Sequence, residues 1–348
     1  MFLKRLKLQN FRNYTQKEFS FSDGVTLVVG PNTSGKTNLL EAIYLLASGK
    51  SFRATLEQEM ITWDEQVARV KGRIIGEERI DLEIILTRGE VEGERVARKK
   101  YQVNGVTRRA MDFVGLLRAV YFGPEDLGLV TDSPSLRRKY LDLVLSQTDR
   151  EYARSSLSYE KGLRQRNKLL ERIREEGASR SQLLFWDQLL IKEGSLISQK
   201  REEFIEFINA VITKLPDFKL VYDKSIISPA RLGEYAQEEI AAAATLVGPH
   251  RDDFEFRLKN RSLGAFGSRG EQRLAILWLK LGELEFISNK TKYRPVLLLD
   301  DIFSELDDGH RKLVLEVIPH QQTIITSADS SQVEKGPKKK MEVIELKE

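Results

Sequence analysis

The sequence predicts an α/β fold into which a long helical segment is inserted, and three features of the chain lead to this prediction. An apolar run, Val25 to Val29, is followed by a glycine turn and then by helical periodicity. A second apolar run, Val296 to Leu299, is continuous, as is typical of a parallel strand covered on both faces. Between Pro134 and Pro216 the chain contains no proline and follows helical periodicity.

The N-terminal part of the chain predicts strands around one helix. The segments FLKRLKLQNFRNY and KEFSFSDGVTLVVGPN alternate apolar and polar residues and predict strands. GKTNLLEAIYLLASG predicts a helix that ends at Gly49. Short strands are expected between residues 67 and 120, where the pair Asn104-Gly105 indicates a type I′ hairpin turn.

The rest of the chain predicts a helical insertion followed by a return to strands. Two helices, at about 150–175 and 181–214, are separated by EEGASRS and are expected to form a hairpin. After residue 245 the segments DDFEFRL, PVLLLD, TIITS and MEVIEL predict strands, and a long helix starts at residue 269. We therefore expect residues 1–132 and 245–348 to form two parts of one α/β domain, and residues 133–244 to form the helical insertion.

Composition limits the class of protein and the kinds of site. The chain has 348 residues, of which 31% are charged, and a net charge of +4 that is compatible with nucleic-acid binding. Since there is no cysteine, disulfides and thiolate metal sites are excluded, and the three histidines lack ligand spacing. No run approaches the about 20 apolar residues that span a bilayer, and the N-terminus has no signal-peptide pattern. We expect a soluble cytoplasmic protein without a membrane partner.

Residues Gly30 to Thr37, GPNTSGKT, match the phosphate-loop pattern G-x-x-x-x-G-K-[ST] in full, between an apolar strand and a helix. The backbone N–H groups of such a loop surround phosphate oxygens. Lys36 is expected to reach the β- and γ-phosphates of ATP, and Thr37 to bind Mg²⁺ through its hydroxyl. The predicted nucleotide-binding residues of this stretch are Gly30, Pro31, Asn32, Thr33, Ser34, Gly35, Lys36, Thr37 and Asn38.

Two adjacent carboxylates, Asp300 and Asp301, follow the second apolar run directly. Ligands of open α/β sheets bind at the carboxyl ends of the strands. We expect Asp300 to belong to the Mg²⁺ shell and Asp301 to orient or deprotonate the attacking water, with Lys36 as the other catalytic residue. The alternative is that both acids only solvate the end of a strand.

A second glycine-rich helix entry, GAFGSRGEQRLAI at residues 264–276, lies far from the phosphate loop. Ser268 and Glu271 have the spacing of a capping box, which is the structural explanation. A capping serine does not need Gly270, however, which costs about 1 kcal/mol relative to alanine in a helix. Close approach of a phosphate to the helix N-terminus explains the glycine. We expect Ser268, Gly270 and Gln272 to face the nucleotide of a second copy of the chain.

The order of these motifs is that of an ABC-type ATPase: phosphate loop, signature, acidic strand end, and then SELD at residues 304–307. Three other classes of protein share some of these features. A transporter ATPase subunit has a shorter insertion and a switch histidine. An SMC-like nuclease needs a further carboxylate-rich metal centre, and a small-molecule phosphate-loop kinase lacks the signature.

Three further stretches resemble the RecF family of bacterial DNA replication and repair proteins, relatives of the SMC-type ATPases with a short helical arm. These stretches are FRNY at 11–14, GPEDLGLVTDSPSLRRKYLD at 123–142 and VGPHRDDFEF at 247–256. The resemblance implies an ABC/SMC-type ATPase head with an inserted helical arm. It also places Arg12 and Asn13 near the nucleotide. The sequence departs from the family at Thr33 and Asp132, where the family usually has glycine.

The resemblance also implies an activity and partners. They are an ATP-dependent homodimer that binds double-stranded DNA and single-strand/double-strand junctions, and cooperation with RecO and RecR in loading RecA during DNA repair, replication and the SOS response to DNA damage. No histidine follows TIITS, and Thr326 and Ser327 lie nearest to the position of the ABC switch histidine. The resemblance predicts this absence and implies weak, slow ATP hydrolysis.

Two basic regions are candidates for contacts with DNA phosphates, which require clustered cations but no base-reading code. The first is the predicted hairpin, with Arg98, Lys99, Arg108 and Arg109. The second is the helical insertion. The alternative for either region is a solvated charged surface.

Overall fold

The computed structural model describes residues 1–211, 213–304, 306–328 and 341–347. Contacts within the chain divide it into two compact units. The first unit comprises Met1–Asp126 and Glu283–Glu348, and the second comprises Leu127–Gly282.

The strands and helices are numbered in chain order. The strands are β1 Phe2–Phe11, β2 Tyr14–Ser20, β3 Val25–Val29, β4 Val67–Ile75, β5 Arg79–Thr87, β6 Glu90–Val91, β7 Glu94–Arg95, β8 Lys99–Val103, β9 Val106–Arg108, β10 Ala119–Phe122, β11 Phe218–Asp223, β12 Asp253–Leu258, β13 Arg261–Ser262, β14 Val296–Asp300, β15 Thr323–Ser327 and β16 Glu342–Glu345. The helices are α1 Lys36–Ser48, α2 Ala110–Phe113, α3 Gly128–Thr131, α4 Pro134–Thr148, α5 Arg150–Glu176, α6 Leu184–Ala210, α7 Pro229–Glu234, α8 Ala236–Ala242, α9 Leu263–Phe266, α10 Arg269–Thr291 and α11 Asp308–Val317.

The first unit contains an antiparallel sheet of six strands, in the order β2-β1-β4-β5-β8-β9. The alternating pattern of β1 buries Leu6 and Leu8 on one face and exposes Lys7 on the other. Between β8 and β9, Asn104 and Gly105 have φ values of 51° and 79°. Both angles are positive, as a type I′ turn requires, so the predicted hairpin is confirmed.

The first unit also contains a parallel sheet in the order β10-β14-β15-β3-β16. All five residues of β14 are buried, which confirms a parallel strand covered on both faces. Helix α1 contacts strands of both sheets and buries eleven of its thirteen residues. It ends at Gly49, whose φ of 69° lets its backbone N–H bond to Leu45 O. The phosphate loop therefore leads into a helix that is fixed on two sides.

The second unit is mainly helical, and its long helices α5 and α6 pack along each other. Gly162 allows a close approach, because a Cβ there would lie 2.3 Å from Leu189 Cδ2. The unit also contains a three-stranded sheet in the order β11-β12-β13. The mixed architecture of the chain confirms the predicted α/β fold class with a helical insertion.

A buried arginine, Arg201, connects several segments of the second unit. Its guanidinium donates to Asp142 Oδ1 at 2.9 Å, to Asp252 Oδ2 at 3.0 Å and to Pro249 O at 2.7 Å. Arg137, which lies in one of the family-like stretches, forms a two-pronged bond with Asp253, at 2.6 and 3.0 Å. A buried arginine that has lost its hydration needs such partners. The two stretches at 123–142 and 247–256 therefore supply contacts that hold this unit together.

The contact-based units differ from the predicted segments by six residues at the first boundary and by 38 residues at the second. The sequence places residues 245–282 with the ATPase head, whereas their contacts group them with the helical segment. The physical reason is the sheet, because β12 pairs with β11 along its whole length, from Phe218↔Leu258 to Asp223↔Asp253.

Among the helices of the described part of the chain, none is long and apolar enough to cross a membrane.

Candidate nucleotide-binding site

The phosphate loop borders a cavity of about 750 Å³ whose lining belongs entirely to the first unit. The predicted residues that line it are Arg12, Asn13, Asn32, Thr33, Gly35, Lys36, Thr37, Asn38, Asp300 and Asp301. Two segments that are 264 residues apart in the chain, at Lys36 and at Asp300, therefore meet at one cavity. They meet because β3 and β14 belong to the same parallel sheet, so that their carboxyl ends lie at one edge.

The loop conformation depends on glycine at one position and strains the backbone at another. Gly35 has a φ of 99°, and a Cβ there would lie 2.7 Å from Asn13 Nδ2 and 2.8 Å from the Tyr14 hydroxyl oxygen. Thr33 has a φ of 75°, a left-handed conformation that is a genuine outlier for a β-branched residue. Glycine, which the family resemblance predicts at this position, would adopt this angle without strain.

Lys36 and Ser34 provide the test of whether the loop fits a phosphate. The Lys36 ammonium is buried and donates to Gly30 O at 2.7 Å and to Pro31 O at 2.9 Å, so that it lies across the loop. The Ser34 hydroxyl oxygen is buried and has no hydrogen-bond partner among the described residues. A buried ammonium and an unpartnered hydroxyl at a helix N-terminus are suited to anionic oxygens. Gly30 and Pro31 accept hydrogen bonds from Lys36 but, like Ser34, do not line the cavity themselves.

The two carboxylates at the end of β14 have different environments. Asp300 is buried, and its Oδ1 accepts a hydrogen bond from Thr326 Oγ1 at 2.6 Å. Its Oδ2 lies 3.2 Å from the Tyr121 hydroxyl, which stays protonated because burial raises its pKa well above the usual value. Asp301 is less buried, and burial followed by the charge of Asp300 raises its pKa. The pair therefore combines a fixed carboxylate with one that accepts a proton more readily.

The predicted residue Arg12 belongs to a cluster around a buried glutamate. Glu41 is fully buried on α1, and its carboxylate accepts bonds from Arg12 Nε at 2.7 Å and Arg12 Nη2 at 2.6 Å. The other contacts are from Arg53 Nη2 at 3.2 Å and Ser51 Oγ at 2.5 Å. Asn13 accepts a bond from Asn38 Nδ2 at 2.8 Å. These contacts fasten the β1–β2 turn to the start of α1, so that Arg12 and Asn13 line the cavity.

Several lining residues were not anticipated from the sequence: Arg53, Glu59, Ile61, Trp63, Pro124 and Glu125. Trp63 is the most informative of them, because its side chain is 84% exposed and yet borders the cavity. No pattern in the sequence singles out Trp63, because its exposure and its place at the cavity follow from the fold. Glu305, which belongs to the predicted SELD motif, lies outside the described residues.

The signature segment lies at the start of α10 in the second unit. Ser268 and Glu271 form the capping box, with Ser268 N donating to Glu271 Oε2 at 2.8 Å and Glu271 N to Ser268 Oγ at 3.2 Å. A Cβ at Gly270 would meet no atom of the described residues within 4 Å, so packing within this chain gives no reason for glycine there. The structural explanation therefore accounts for Ser268 but not for Gly270.

The expectation that the Gln272 side chain faces a second copy is wrong for this conformation. Gln272 is 5% exposed, and its Nε2 donates to Leu263 O at 2.9 Å. The side chain is turned inward because α9 presents that carbonyl group directly beside α10. The Gln272 side chain therefore holds the start of α10 against α9.

The hairpin residues do not form one cationic cluster, which corrects the predicted DNA contact at Lys99. The Lys99 side chain is 10% exposed, forms an ion pair with Glu57 and donates to Gly49 O at 2.8 Å. It is turned inward because it is paired with the buried Leu86 on β5. Arg98, Arg108 and Arg109 are exposed. Lys99 is thus part of the fold, and only the three arginines remain candidates.

Comparison with known families and sequences gives consistent matches over the whole chain. The family described as RecF/RecN/SMC N terminal domain matches residues 2–347. The DNA replication and repair protein RecF of Herpetosiphon aurantiacus is 38% identical, with 94% of each chain covered. That of Bacillus thuringiensis strain Al Hakam is 35% identical, with 99% of this chain and 97% of the relative covered.

Comparison with solved structures agrees. A structure described as the recombination mediator protein RecF-ATP in the RecFOR pathway is 34% identical, with a TM-score of 0.87, 95% of this chain covered and 93% of that chain. A second, with RecF-ATPrS, is 32% identical with a TM-score of 0.86, and covers 99% and 96%. An Smc head domain bound to the C-terminal domain of ScpA derived from Pyrococcus furiosus has a TM-score of 0.53 at 18% identity, with 99% and 94% covered, and is similar in fold alone.

Proposed function

Because this chain belongs to the RecF/RecN/SMC N-terminal domain family and, within it, to the RecF proteins, we propose that it is an ATP-dependent DNA-binding protein of recombinational repair. Its ATP-driven dimer holds DNA at gaps and junctions, and slow hydrolysis releases it. One observation carries this proposal: the phosphate loop and the Asp300–Asp301 pair line one cavity. The relatives described as RecF-ATP support ATP as the nucleotide.

The residues of the cavity divide the work of binding. The backbone N–H groups from Gly30 to Thr37 and the Lys36 ammonium hold the phosphates once Lys36 exchanges the carbonyl oxygens of Gly30 and Pro31 for phosphate oxygens. Thr37 and Asp300 would hold Mg²⁺, which when bound neutralises charge on the β- and γ-phosphates. Asp300 is oriented for this by Thr326 and Tyr121, each of which contacts one of its two oxygens.

Asp301 is the residue that acts on the attacking water. Its pKa is raised by burial and by Asp300, which brings the carboxylate closer to the range in which a general base works. Its backbone N–H is held by Thr326 O at 3.2 Å, and its φ is 50°. The carboxylate takes a proton from water as the bond to the γ-phosphorus forms and the bond to the leaving β-phosphate oxygen breaks. The proton then returns to solvent.

The second half of the site comes from a partner copy. Gly270 leaves the N-terminus of α10 open at a position where this chain has nothing to pack. The first turn of a helix presents unpaired backbone N–H groups that favour an anion. We assign Ser268 and Gly270 to the γ-phosphate bound by Lys36 of the other subunit. ATP thereby joins two subunits, and its hydrolysis separates them.

DNA and protein partners follow from the family. The dimer binds double-stranded DNA and single-strand/double-strand junctions without reading sequence, and it works with RecR and RecO to load RecA. The relatives described as components of the RecFOR pathway support these partners.

A mixing experiment tests the shared site. Ser268→Arg fills the approach to the partner's phosphate but leaves the loop intact, whereas Lys36→Ala removes the loop lysine but leaves the signature intact. A mixed dimer contains one site made of two intact halves. We expect each variant alone to fail to associate in ATP and the mixture to recover association in part, measured by analytical ultracentrifugation.

The controls are ATP binding by each monomer and thermal unfolding. Ser268→Arg should still bind ATP, because its loop is complete, and should lose only the about 0.5–2 kcal/mol of a helix cap. Normal ATP-dependent association of Ser268→Arg would reduce the segment to a capping box and refute the shared site.

A further inference from the structure

The solvent face of the antiparallel sheet in the first unit is basic. In the β1–β4 ladder Arg5 is opposite Arg73, and Lys7 is opposite Lys71. Residues directly opposite each other in an antiparallel pair project from the same face. The residues between them, among them Leu6, are buried on the other face. Two pairs of like charges therefore lie next to each other on central strands of the sheet.

The neighbouring strands extend this surface, which we call the basic sheet face. Its cations are Arg5, Lys7, Arg69, Lys71, Arg73, Arg79 and Lys100, and its carboxylates are Glu18, Asp81 and Glu83. The carboxylates lie at the sides, on β2 and β5. A row here means the residues paired across neighbouring strands, and in the rows through Arg5, Lys7 and Gln9 the residues on β1 and β4 are cations and one glutamine. The cations outnumber the carboxylates by more than two to one.

The ion pairs of this face leave Arg5, Lys7 and Arg69 accessible, whereas the Arg73 side chain is 30% exposed and forms a two-pronged ion pair with Asp81, at 2.8 and 3.2 Å. Glu18 contacts Arg5 at 3.1 Å and Lys7 at 2.9 Å, and Glu83 contacts Arg69 at 3.1 Å. The side chains of Arg5, Lys7 and Arg69 nevertheless stay 45–54% exposed. Exposed pairs of this kind contribute only about 0–1 kcal/mol and are screened by salt. The carboxylates therefore leave a net positive surface that a stronger anion can occupy.

Folding does not require these cations. Like charges directly opposite each other destabilise an antiparallel pair, and glutamine or threonine would serve equally on a solvated face. The buried residues of the same strands, such as Leu8 and Val70, provide the packing. A surface that keeps such pairs at a cost in stability is explained by an anionic ligand.

We propose that the basic sheet face binds the phosphate backbone of duplex DNA. This inference rests on the proposed function, and it moves the DNA surface away from the hairpin and the helical segment. Contacts to phosphates need cations and amides but no code for bases, and this face offers both, including Gln9 opposite Arg69. The paired rows through Arg5, Lys7 and Gln9 carry no aromatic side chain, and the half-buried Phe2 lies at the edge of the face, in the row of Arg79, whereas single-stranded DNA is held by stacking on successive aromatics. The chemistry of the face therefore favours a duplex.

The test compares three variants with equal loss of charge. Lys7→Gln with Lys71→Gln alters the basic sheet face. Lys17→Gln with Lys219→Gln changes two exposed strand lysines outside it, and Arg108→Gln with Arg109→Gln alters the rival hairpin. Affinity for a duplex of fixed length is measured with ATP over a range of salt. We expect the first variant to bind about tenfold more weakly and its log–log salt slope to fall by about 0.9 for each DNA phosphate that the variant no longer neutralises. The lysine control should match the parent.

Each outcome decides between the proposals. If the parent does not bind duplex DNA in ATP, the proposed function fails. If the parent binds and the basic-sheet-face variant has the same affinity and slope, the sheet proposal is overturned while the proposed function stands. A loss of DNA affinity confined to the hairpin variant would also overturn the sheet proposal and leave the proposed function standing. Should the altered face affect binding to anionic phospholipid vesicles but not to DNA, its ligand is a membrane surface and the proposal is again overturned.

Folding and nucleotide binding are measured alongside. Removing like-charge pairs should leave the melting temperature unchanged or raise it, and binding of a fluorescent ATP analogue should be unaffected, because neither lysine lines the cavity. The single variant Lys71→Gln is the second test and should show a smaller loss of the same kind. A parent-like slope in that folded variant, together with parent-like binding of the double variant, refutes the site.

Discussion

Asp301 shows how the environment of one carboxylate sets its chemistry. Asp301→Asn removes the proposed base but keeps the size of the side chain and leaves Asp300 with its bonds to Thr326 and Tyr121. We expect ATP hydrolysis to fall by roughly 100-fold, the scale of general-base catalysis. The ATP-bound dimer should persist on DNA. Phosphate release under single-turnover conditions measures the first effect, and parent-like hydrolysis would remove Asp301 from the mechanism.

Thr33 is a second residue whose backbone sets its behaviour. A β-branched residue at a φ of 75° carries strain of about 1–3 kcal/mol, whereas glycine adopts this angle freely but costs about 0.5–1 kcal/mol in conformational entropy. Thr33→Gly is therefore expected to raise the free energy of unfolding by about 1 kcal/mol, measured by urea denaturation. Asn10→Gly, at a φ of 50°, is the matched control and should gain less, because asparagine tolerates this region. Equal gains would contradict the strain.

At the scale of elements, two glycines allow the effect of a positive φ on stability to be separated from the effect of the room available for a side chain. Gly177 ends α5 with a φ of 68°, whereas Gly233 lies within α7, and a Cβ at either would meet nothing within 4 Å. Gly177→Ala should therefore cost about 1–2 kcal/mol. Gly233→Ala should be neutral or stabilising by up to about 1 kcal/mol. Thermal unfolding of both variants measures the contrast, and a cost at Gly233 similar to that at Gly177 would contradict it.

The success of sequence reasoning differed between elements for physical reasons. Helix α1 and strand β14 were predicted because their apolar patterns are long and their ends carry glycine or acidic residues. Strand β12 was predicted, but β11 and the pairing of the two were not, because strands of six residues do not reveal their partners. At the site, the loop and the acidic pair were anticipated by motif. Trp63 and Arg53 were missed because only the fold brings their segment to the cavity.

Pattern reasoning also failed where it ignored the direction of a side chain. Lys99 and Arg98 are neighbours in a basic stretch, yet Lys99 begins β8 on the face of the buried Leu86, whereas Arg98 precedes the strand and is exposed. The cations of the basic sheet face are spread over four strands, so that no linear motif unites them.

At the scale of the whole molecule, Gly270 separates stability from assembly. Gly270→Ala places a methyl group in open space in the first turn of α10 and should stabilise the monomer by up to about 1 kcal/mol. The same methyl group should obstruct the partner's phosphate and remove a charge-assisted hydrogen bond of about 1.5–3 kcal/mol, which is roughly tenfold or more in association. Sedimentation in ATP and thermal unfolding should therefore change in opposite directions. Unaltered association would place the phosphate elsewhere.

The stability of the molecule should depend on pH through His250. Its Nε2 donates to Thr245 O at 2.9 Å, so Nδ1 accepts from the Tyr159 hydroxyl at 2.8 Å, and burial lowers the pKa from 6.5 to about 4. Since the folded state disfavours the charged ring, stability is complete above pH 6.5 and is lost as the pH falls from 6.5 toward 4. Between pH 7.5 and 5 the loss should be about 2 kcal/mol. His250→Gln, measured by urea denaturation at both pH values, should lack this part of the loss; an identical pH dependence would contradict it.

The short strand β9 has a consequence for the solubility of the protein. It forms one edge of the six-stranded sheet in the described part of the chain, and its Val106 is exposed. An open edge can recruit a strand from another molecule and begin aggregation, and natural proteins counter this with brief edges bearing charge. Three residues that end in Arg108, with Arg109 directly after them, meet that description. The hairpin arginines, which resemble a nucleic-acid contact when they are read along the chain, thus match the charged edges by which proteins keep their copies from joining sheet to sheet.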